Sequence, residues 1–559
     1  MAVGSSRAPA STKVPRWLDA VCEGLDAEQR AAALLPDGPA QIIAPAGSGK
    51  TTTLVARLGA LLSRGAEPAK ILVLSFNRDA ASELGRRIQS QLVPIVSDAR
   101  AIEVRTLHAL ARQILLDGGR PATPIPDRLP LLRAARRECA GRRAPEAPPL
   151  PEVGELDSLI AAAKIEDRSL PPDVAKIAEV YQRLLSGRGQ IDFDDLVVGA
   201  VRLLEGSATL RRRWQARYDH LLVDEFQDVD AAQVRLIAIL AQPGRSLFAV
   251  GDDDQTIYAW RLADVRRMLR FTDHYPDARR VVLGANYRCP PAVVRHARQL
   301  IEVNRERISK PIAAGRPDEA ADAVAAVDTS GAAAPSQLVA MATALSGPEE
   351  RLCFLARTRA ELGPIGLALL HAGVPHASSL PSPLDAMPVV ALVAALQRGP
   401  ADAVPFETLR ALRRANGWNR AAMDDALSDE DHAALDAMQS WAAGVASIGD
   451  FVSGFEEARR RLLALRDPEA PIELVTVHGA KGREWETVVV IGFEEERFPN
   501  RRALVESAAP ERALEEERRL AYVAVTRATR RLILAFDPAR PSRFLAEMQL
   551  TIRPSARQR

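Results

Sequence analysis

Cysteine is nearly absent from this chain. Four occur in 559 residues, Cys22, Cys139, Cys289 and Cys353, too scattered for a disulfide framework, a zinc site or an iron–sulfur cluster. No apolar run is long enough to span a bilayer as a helix. Residues 1–16 are small and polar with no apolar signal core, and read as a disordered tail on a cytoplasmic protein. Neither charge dominates: 74 Lys and Arg stand against 72 Asp and Glu, a net of +2. A nucleic-acid partner therefore needs a local basic groove, because the global field is weak. Lysine itself is scarce, at Lys13, Lys50, Lys70, Lys164, Lys176, Lys310 and Lys481 only, and two of these fall inside motifs. Aromatic residues make up 4% and gather in the same motifs.

What remains is an ordinary globular composition, 47% apolar and 26% charged, in a length that suits three or four domains of roughly 150 residues. Short apolar runs at 41–43, 71–76, 102–104, 220–223 and 247–250 read as buried parallel strands. A second set lies at 281–283, 352–355, 474–477, 488–491 and 532–536. Two doubly wound α/β domains fit this pattern. Each is interrupted by a stretch of helical pattern with Pro-rich borders, 109–200 and 376–471. The Ala-, Ser- and Gly-rich stretch 315–347 reads as a variable surface segment.

Residues 41–51, QIIAPAGSGKT, run from strand through a glycine loop to a helix start. Glycines in such a loop let backbone N–H groups face phosphates, Lys50 neutralises the β/γ oxygens, and the Thr51 hydroxyl suits Mg²⁺. The residues around it that face nucleotide are Ala46, Gly47, Ser48, Gly49, Lys50, Thr51 and Thr52. Ala44 occupies the position of the usual first glycine. At 221–228, LLVDEFQD, an apolar strand ends in two carboxylates. Asp224 suits the Mg²⁺ shell, and Glu225 suits orienting and deprotonating the attacking water. Such a pair alone is often a solvated loop; beside a glycine loop the catalytic reading prevails. Gln255 then follows another buried strand, where a neutral amide senses a γ-phosphate. Tyr258, Trp260 and Arg261 place two aromatics and a cation within four residues, a group able to stack unpaired bases and touch backbone phosphates. A core aromatic pair is the plainer reading of that cluster taken alone.

Read together, these residues resemble superfamily 1A DNA helicases of the UvrD/Rep/PcrA family, in order from about residue 25 to 546. LDAEQR at 25–30 resembles the family's adenine-reading motif, with Gln29 as the base contact. SFNRDAA at 75–81 and TLHA at 106–109 resemble its first DNA-contact motifs, implying Phe76, Asn77, Thr106 and His108 near DNA. NYR at 286–288 resembles the fourth motif, with Tyr287 stacking on adenine and Arg288 reaching the γ-phosphate. VTVHGAKGREW at 475–485 resembles the fifth, with His478 near DNA and Glu484 near the ribose; Lys481 is left unassigned. LEEERRLAYVAVTRAT at 514–529 resembles the sixth, with Arg527 as the arginine finger.

The resemblance implies two RecA-like P-loop NTPase domains, each with a mainly helical insertion. The first core takes 17–108 and 201–285, its insertion 109–200, the second core 286–375 and 472–547, a reduced second insertion 376–471, and a basic tail 548–559. It implies ATP and Mg²⁺ as cofactors, single-stranded or 3′-tailed duplex DNA as partner, and 3′-to-5′ movement in repair, replication or recombination. Three features depart from the family. The second insertion lacks the glycine-centred element that grips duplex DNA, Leu262 stands where glycine is usual, and 537–541 is too short for the aromatic-tipped wedge hairpin. An ATPase motor that unwinds poorly alone and works with a nuclease or repair factor is therefore the alternative. An inert interaction protein fits poorly with intact Lys50, Asp224, Glu225, Arg288 and Arg527, and a small-metabolite P-loop enzyme fits poorly with the stacking cluster.

Overall fold

The computed structural model describes residues 16–550, apart from 142–147, 242–244, 318–322, 332, 348, 379, 381, 419–426 and 428. The expected disordered tail, up to residue 15, and residues 551–559 of the basic tail lie outside the described residues. The chain forms two compact units, Met1–Tyr287 with Asn304–Gly315, and Arg288–Val303 with Arg316–Arg559.

The first unit is built on a six-stranded parallel sheet of β1 (Ala40–Ile43), β2 (Ile71–Ser75), β3 (Glu103–Thr106), β4 (His220–Val223), β5 (Ser246–Gly251) and β6 (Arg279–Val282). Their order is β3-β2-β4-β5-β1-β6. β1, β2 and β5 are buried along their whole length and are mostly apolar, because helices cover both faces. Leu221, Val223, Leu247 and Ala249 point to one face, against helices Leu107–Asp117, Phe193–Gly206 and Ala231–Leu240. Leu222, Phe248 and Val250 point to the other, against helix Lys50–Ser63. Each such side chain taken fully out of water contributes about 1.5–3 kcal/mol, so the sheet is a rigid platform for the loops at its ends. Helices Leu129–Ala140, Val153–Glu166 and Pro172–Ser186 carry their own core around Leu132, Ile160, Ile177 and Tyr181.

Two expectations are corrected here. The run at 281–283, assigned to the second strand set, forms β6, which pairs in parallel with β1 at the edge of the first sheet. Residues 304–315, assigned with 286–287 to the second core, return to the first unit, where β7 (Ala285–Asn286) pairs with β8 (Ala313–Ala314). A strand's partner is set by contacts remote in sequence, and neither run carries a local mark of which sheet receives it.

The second unit has a parallel sheet in the order β11-β12-β10-β13-β14-β9. Its strands are β9 (Val324–Asp328), β10 (Leu352–Ala356), β11 (Ala377–Ser378), β12 (Ile472–Thr476), β13 (Trp485–Val490) and β14 (Ala528–Phe536). Helices Ala334–Leu345 and Arg359–Ala372 cover Leu352, Phe354, Leu474 and Ile533. The stretch 315–347 is therefore not simply a surface segment: it supplies the edge strand β9 and a packed helix. An edge strand has one neighbour, so small alanines suffice where a central strand needs large side chains. β11 also belongs to the sheet, which moves the start of the helical stretch expected from 376 beyond it. Four helices between Met387 and Leu465 then close on their own core of Leu392, Leu396, Leu409, Phe451 and Phe455. Among the described residues no helix is long and apolar enough to cross a membrane.

Candidate nucleotide and nucleic-acid site

In an open parallel sheet the loops leaving the C-terminal strand ends converge. Here those loops carry residues 44–49 after β1, Phe76 and Asn77 after β2, Asp224 and Glu225 after β4, and Asp252–Gln255 after β5. Gly47 and Gly49 adopt left-handed backbone, φ 69° and 78°. At Gly49 a Cβ would stand 2.5 Å from Gln29 Nε2, so only glycine fits. Ala46 and Ser48 are buried, and Ser48 Oγ has no hydrogen-bond partner. A buried hydroxyl without a partner, at the tip of a loop leading into helix Lys50–Ser63, fits a phosphate. Thr51 and Thr52 lie in the first turn of that helix.

Lys50 Nζ pairs with Glu225 at 3.0 Å. Burial alone disfavours the ammonium, but Glu225, Asp252 and Asp224 outweigh it and hold Lys50 above its ordinary pKa. Asp224 is anchored by its N–H donating to the Leu74 carbonyl at 2.8 Å, and its carboxylate accepts from Glu225 N–H at 3.1 Å. Burial and the neighbouring Glu225 charge push Asp224 up to about 7, against the pull of Lys50. Glu225 itself is left-handed, φ 52°, an uncommon conformation for a residue with a side chain and one that clusters at active sites. A pair of carboxylates with this electrostatic demand suits a divalent cation with oxygen ligands. Among the described residues no group of three or more His, Cys, Asp or Glu could hold a metal ion.

Gln29 lies against the glycine loop. It forms a reciprocal capping box with Asp26, accepting from Asp26 N–H at 3.1 Å and donating its own N–H at 2.7 Å, while its Nε2 donates to the Ser48 carbonyl at 2.9 Å. The same Asp26 accepts from the Tyr287 hydroxyl at 2.6 Å, and Tyr287 N–H donates to the Gly47 carbonyl at 2.9 Å. Gln29, the phosphate loop and Tyr287 are thus brought together within the first unit.

Gln255 is buried and donates Nε2 to Asp252 at 2.6 Å. Three residues on, Tyr258 stacks on Phe76 with ring centroids 5.0 Å apart and planes at 24°. Trp260 packs edge-on to Tyr258 at 6.3 Å and is 64% exposed, with the Arg261 guanidinium over its ring at 4.7 Å. The predicted base-stacking residues form one contiguous aromatic patch. Asn77 and Thr106 have a further duty as helix N-caps, accepting from Ala80 N–H at 2.8 Å and Ala109 N–H at 3.2 Å. His108 sits in the first turn of helix Leu107–Asp117, and burial lowers its pKa, which favours a neutral ring.

The remaining assigned residues belong to the second unit. Arg288 Nε donates to Glu484 at 2.6 Å, and its Nη1 to the Thr526 carbonyl at 3.4 Å. Arg527 is 1% exposed and donates to the Val523 carbonyl at 3.0 Å, the Arg483 carbonyl at 3.3 Å and the Thr526 hydroxyl at 3.3 Å. His478 lies on the loop between β12 and β13. That loop is braced by Glu473, which accepts from Trp485 Nε1 at 3.0 Å and from Arg483.

Two residues escaped the sequence reading. Gln227, fully buried, donates to Glu225 and accepts from Asp252 N–H at 3.0 Å, linking the carboxylate pair to the β5 loop. Its only signal was its place two residues after Glu225. Phe193 is half exposed and meets His108 edge-on at 5.9 Å. An apolar residue exposed at the start of a helix was the available clue.

Comparison with known proteins agrees with this geometry. The UvrD/REP helicase N-terminal domain matches residues 25–131 and 155–276, and the UvrD-like helicase C-terminal domain matches 458–537. ATP-dependent DNA helicase UvrD2 of Mycobacterium tuberculosis is 30% identical, covering 94% of this chain and 82% of its own length. ATP-dependent DNA helicase PcrA of Leuconostoc citreum is 26% identical over 95% of this chain and 85% of its own. PcrA of Staphylococcus aureus is 26% identical over 95% and 87%.

Proposed function

The chain belongs to the UvrD-like helicases, ATP-hydrolysing enzymes that act on DNA, and from that premise we propose that it moves 3′ to 5′ along single-stranded DNA using Mg²⁺ and ATP. The observation that carries this reading is the spacing on one loop of the first unit. Gln255 joins the hydrogen-bonded group around the phosphate loop, and three residues later Tyr258 joins the stacked aromatic patch. A shift of that loop on hydrolysis reaches the bases directly.

In this reading Gln29 and Tyr287 hold the adenine, and the loop from Ala46 to Thr52 holds the phosphates. Glu225, oriented by Gln227, takes the proton of the attacking water. Thr51 and Asp224 would hold Mg²⁺, which spreads the charge developing on the phosphate oxygens. Arg288 and Arg527 answer the γ-phosphate and Glu484 the ribose. Phe76, Tyr258 and Trp260 stack bases, while Asn77, Thr106, His108, Arg261 and His478 line the strand. The helical stretches correspond to subdomains 1B and 2B of the family. For a role in DNA repair, replication or recombination, the support is the family resemblance alone.

The test is ATP turnover with and without single-stranded DNA, together with movement on strands labelled at either end. Wild type is stimulated by DNA and displaces a block at the 5′ end, and Lys50→Ala falls to background. Turnover indifferent to DNA, or displacement from the 3′ end, overturns the reading.

A second reading concerns unwinding. β14 ends at Phe536, and a turn through Asp537–Arg540 leads straight into helix Arg543–Glu547, with no hairpin between. This supports a motor that separates strands poorly alone and relies on a partner, such as a nuclease or a repair factor, for the wedge.

A further inference from the structure

Of the seven lysines, Lys310 lies outside every motif, yet its side chain is 0% exposed. It sits on 304–315, a segment that belongs to the first unit although the residues on both sides of it belong to the second. Its ammonium faces three consecutive carboxylates, Asp252 at 3.2 Å, Asp253, and Asp254 at 2.8 Å. The ammonium hydrogen-bonds to Asp253 and stands within ion-pair distance of Asp252 and Asp254. Arg307, from the same segment, grips Asp254 with two bonds of 3.0 and 2.7 Å, and Ile308 N–H donates to Asp253 at 2.7 Å.

Asp252 is the junction. One oxygen faces Lys310 and the other accepts from Gln255 Nε2 at 2.6 Å. A carboxylate only accepts, so this contact fixes which end of the Gln255 amide is nitrogen and turns its carbonyl away from Asp252. Asp252 N–H reaches Gln227, which holds Glu225. Arg307, Ile308 N–H and Lys310 together anchor the 304–315 segment, and the contact of Lys310 with Asp252 adds a link from that segment to Gln255.

We infer that Lys310 is a positioning residue for ATP hydrolysis: through Asp252 it fixes the orientation of Gln255, and so ties the 304–315 segment to the γ-phosphate end of the site. The inference rests on the reading of Gln255 as γ-phosphate sensor. With Lys310 in place, the Asp252 carboxylate is held still, and Gln255 presents a single face. Without it, Asp252 gains freedom to turn, and Gln255 loses its fixed acceptor.

A double-mutant cycle on the full chain decides the matter, reading DNA-stimulated turnover, KM for ATP and affinity for an oligothymidine strand. Lys310→Met lowers kcat about tenfold, the low end of what losing an outer supporting partner costs, with KM and DNA affinity within about twofold of wild type. In a Gln255→Ala background, Lys310→Met adds no further loss, because it acts through that residue. Arg307→Gln, which touches the anchor alone, lowers thermal stability and leaves kcat unchanged. Should Lys310→Met fail to fold, Lys310→Arg keeps the charge but cannot address three carboxylates from one point, and it enters the same cycle with a smaller loss. Wild-type kcat in the Lys310 variant, or losses that multiply in the double variant, overturn the inference. Wild-type turnover in Gln255→Ala alone removes the sensor reading beneath it, an outcome the cycle reports separately.

Discussion

Arg288 and Glu484 form an ion pair at 2.6 Å, although the family resemblance gives them different ends of the nucleotide, the γ-phosphate and the ribose. Both are held by the segments that hold Arg527: Arg288 donates to the Thr526 carbonyl, and Arg527 donates to Arg483, the neighbour of Glu484. Arg288, Glu484 and Arg527, the second-unit residues proposed to contact nucleotide, are thus one connected group.

The pair separates two roles by kinetics. Glu484 is more than half exposed, and such a pair contributes about 0.2–1 kcal/mol, so Glu484→Ala leaves thermal stability almost unchanged. As a ribose contact, its loss raises KM for ATP and leaves kcat within about threefold of wild type, a change near 0.7 kcal/mol. Arg288→Ala loses transition-state charge stabilisation, and kcat falls by about 10³. Steady-state turnover at saturating single-stranded DNA measures both. A Glu484→Ala enzyme with unchanged KM and the kcat of Arg288→Ala makes Glu484 a support for Arg288 instead of a nucleotide contact.

Tyr287 and Gly315 are equally specific. A Cβ built on Gly315 lies 2.6 Å from the Tyr287 ring, closer than carbon atoms approach. Gly315→Ala therefore displaces the ring and strains its hydroxyl bond to Asp26. If Tyr287 stacks on adenine, KM for ATP rises by about tenfold, equal to a loss near 1.4 kcal/mol, while affinity for single-stranded DNA stays at wild type. Nucleotide titration and DNA binding on one preparation give both numbers. Equal KM in the two proteins removes Tyr287 from the nucleotide site.

The phosphate loop, the carboxylate pair and the aromatic cluster were legible because each chemistry is written in adjacent residues. Gly49 has left-handed backbone and Lys50 follows it directly, a local pattern that a sequence shows. What was illegible depends on pairing across the chain. β6 and β9 carry no local sign of their sheet, and β9 is an Ala-rich edge strand that resembles a linker. The return of 304–315 to the first unit is set by Lys310 and Arg307 meeting Asp252–Asp254, residues more than fifty positions away. Gln227 sat inside a recognised motif, but its role is a set of distances, which a sequence does not contain.

Leu262, at the position where the family resemblance implies glycine, adopts φ 64°, a left-handed conformation that strains a residue with a side chain. That conformation costs a residue with a side chain about 1–2 kcal/mol. Substituting glycine relieves the strain, at about 0.5–1 kcal/mol of extra freedom in the unfolded chain. Leu262→Ala and Leu262→Gly both delete the same partly buried side chain, but only alanine keeps the strain. The usual order is therefore reversed: the glycine variant is the more stable of the two by about 0.5–1 kcal/mol, seen as a higher midpoint in thermal unfolding. An alanine variant as stable as the glycine one shows that the turn relaxes, and removes the strain.

The last prediction pairs movement with strand separation. The aromatic patch of Phe76, Tyr258 and Trp260 supplies what stepping along unpaired bases requires, and each stack contributes about 1–3 kcal/mol per base. Nothing between Phe536 and Arg543 supplies a wedge, since the chain turns directly from strand to helix. Translocation and unwinding therefore separate in one preparation. Single-stranded movement is robust and is lost with Trp260→Ala through weaker DNA binding, by about tenfold or more. Opening of a 3′-tailed duplex under the same conditions is slow, and its rate does not respond to substitutions in 537–541. Duplex opening as fast as single-stranded movement by the chain alone places the wedge elsewhere in the fold, and the four helices between Met387 and Leu465 are then the place to look.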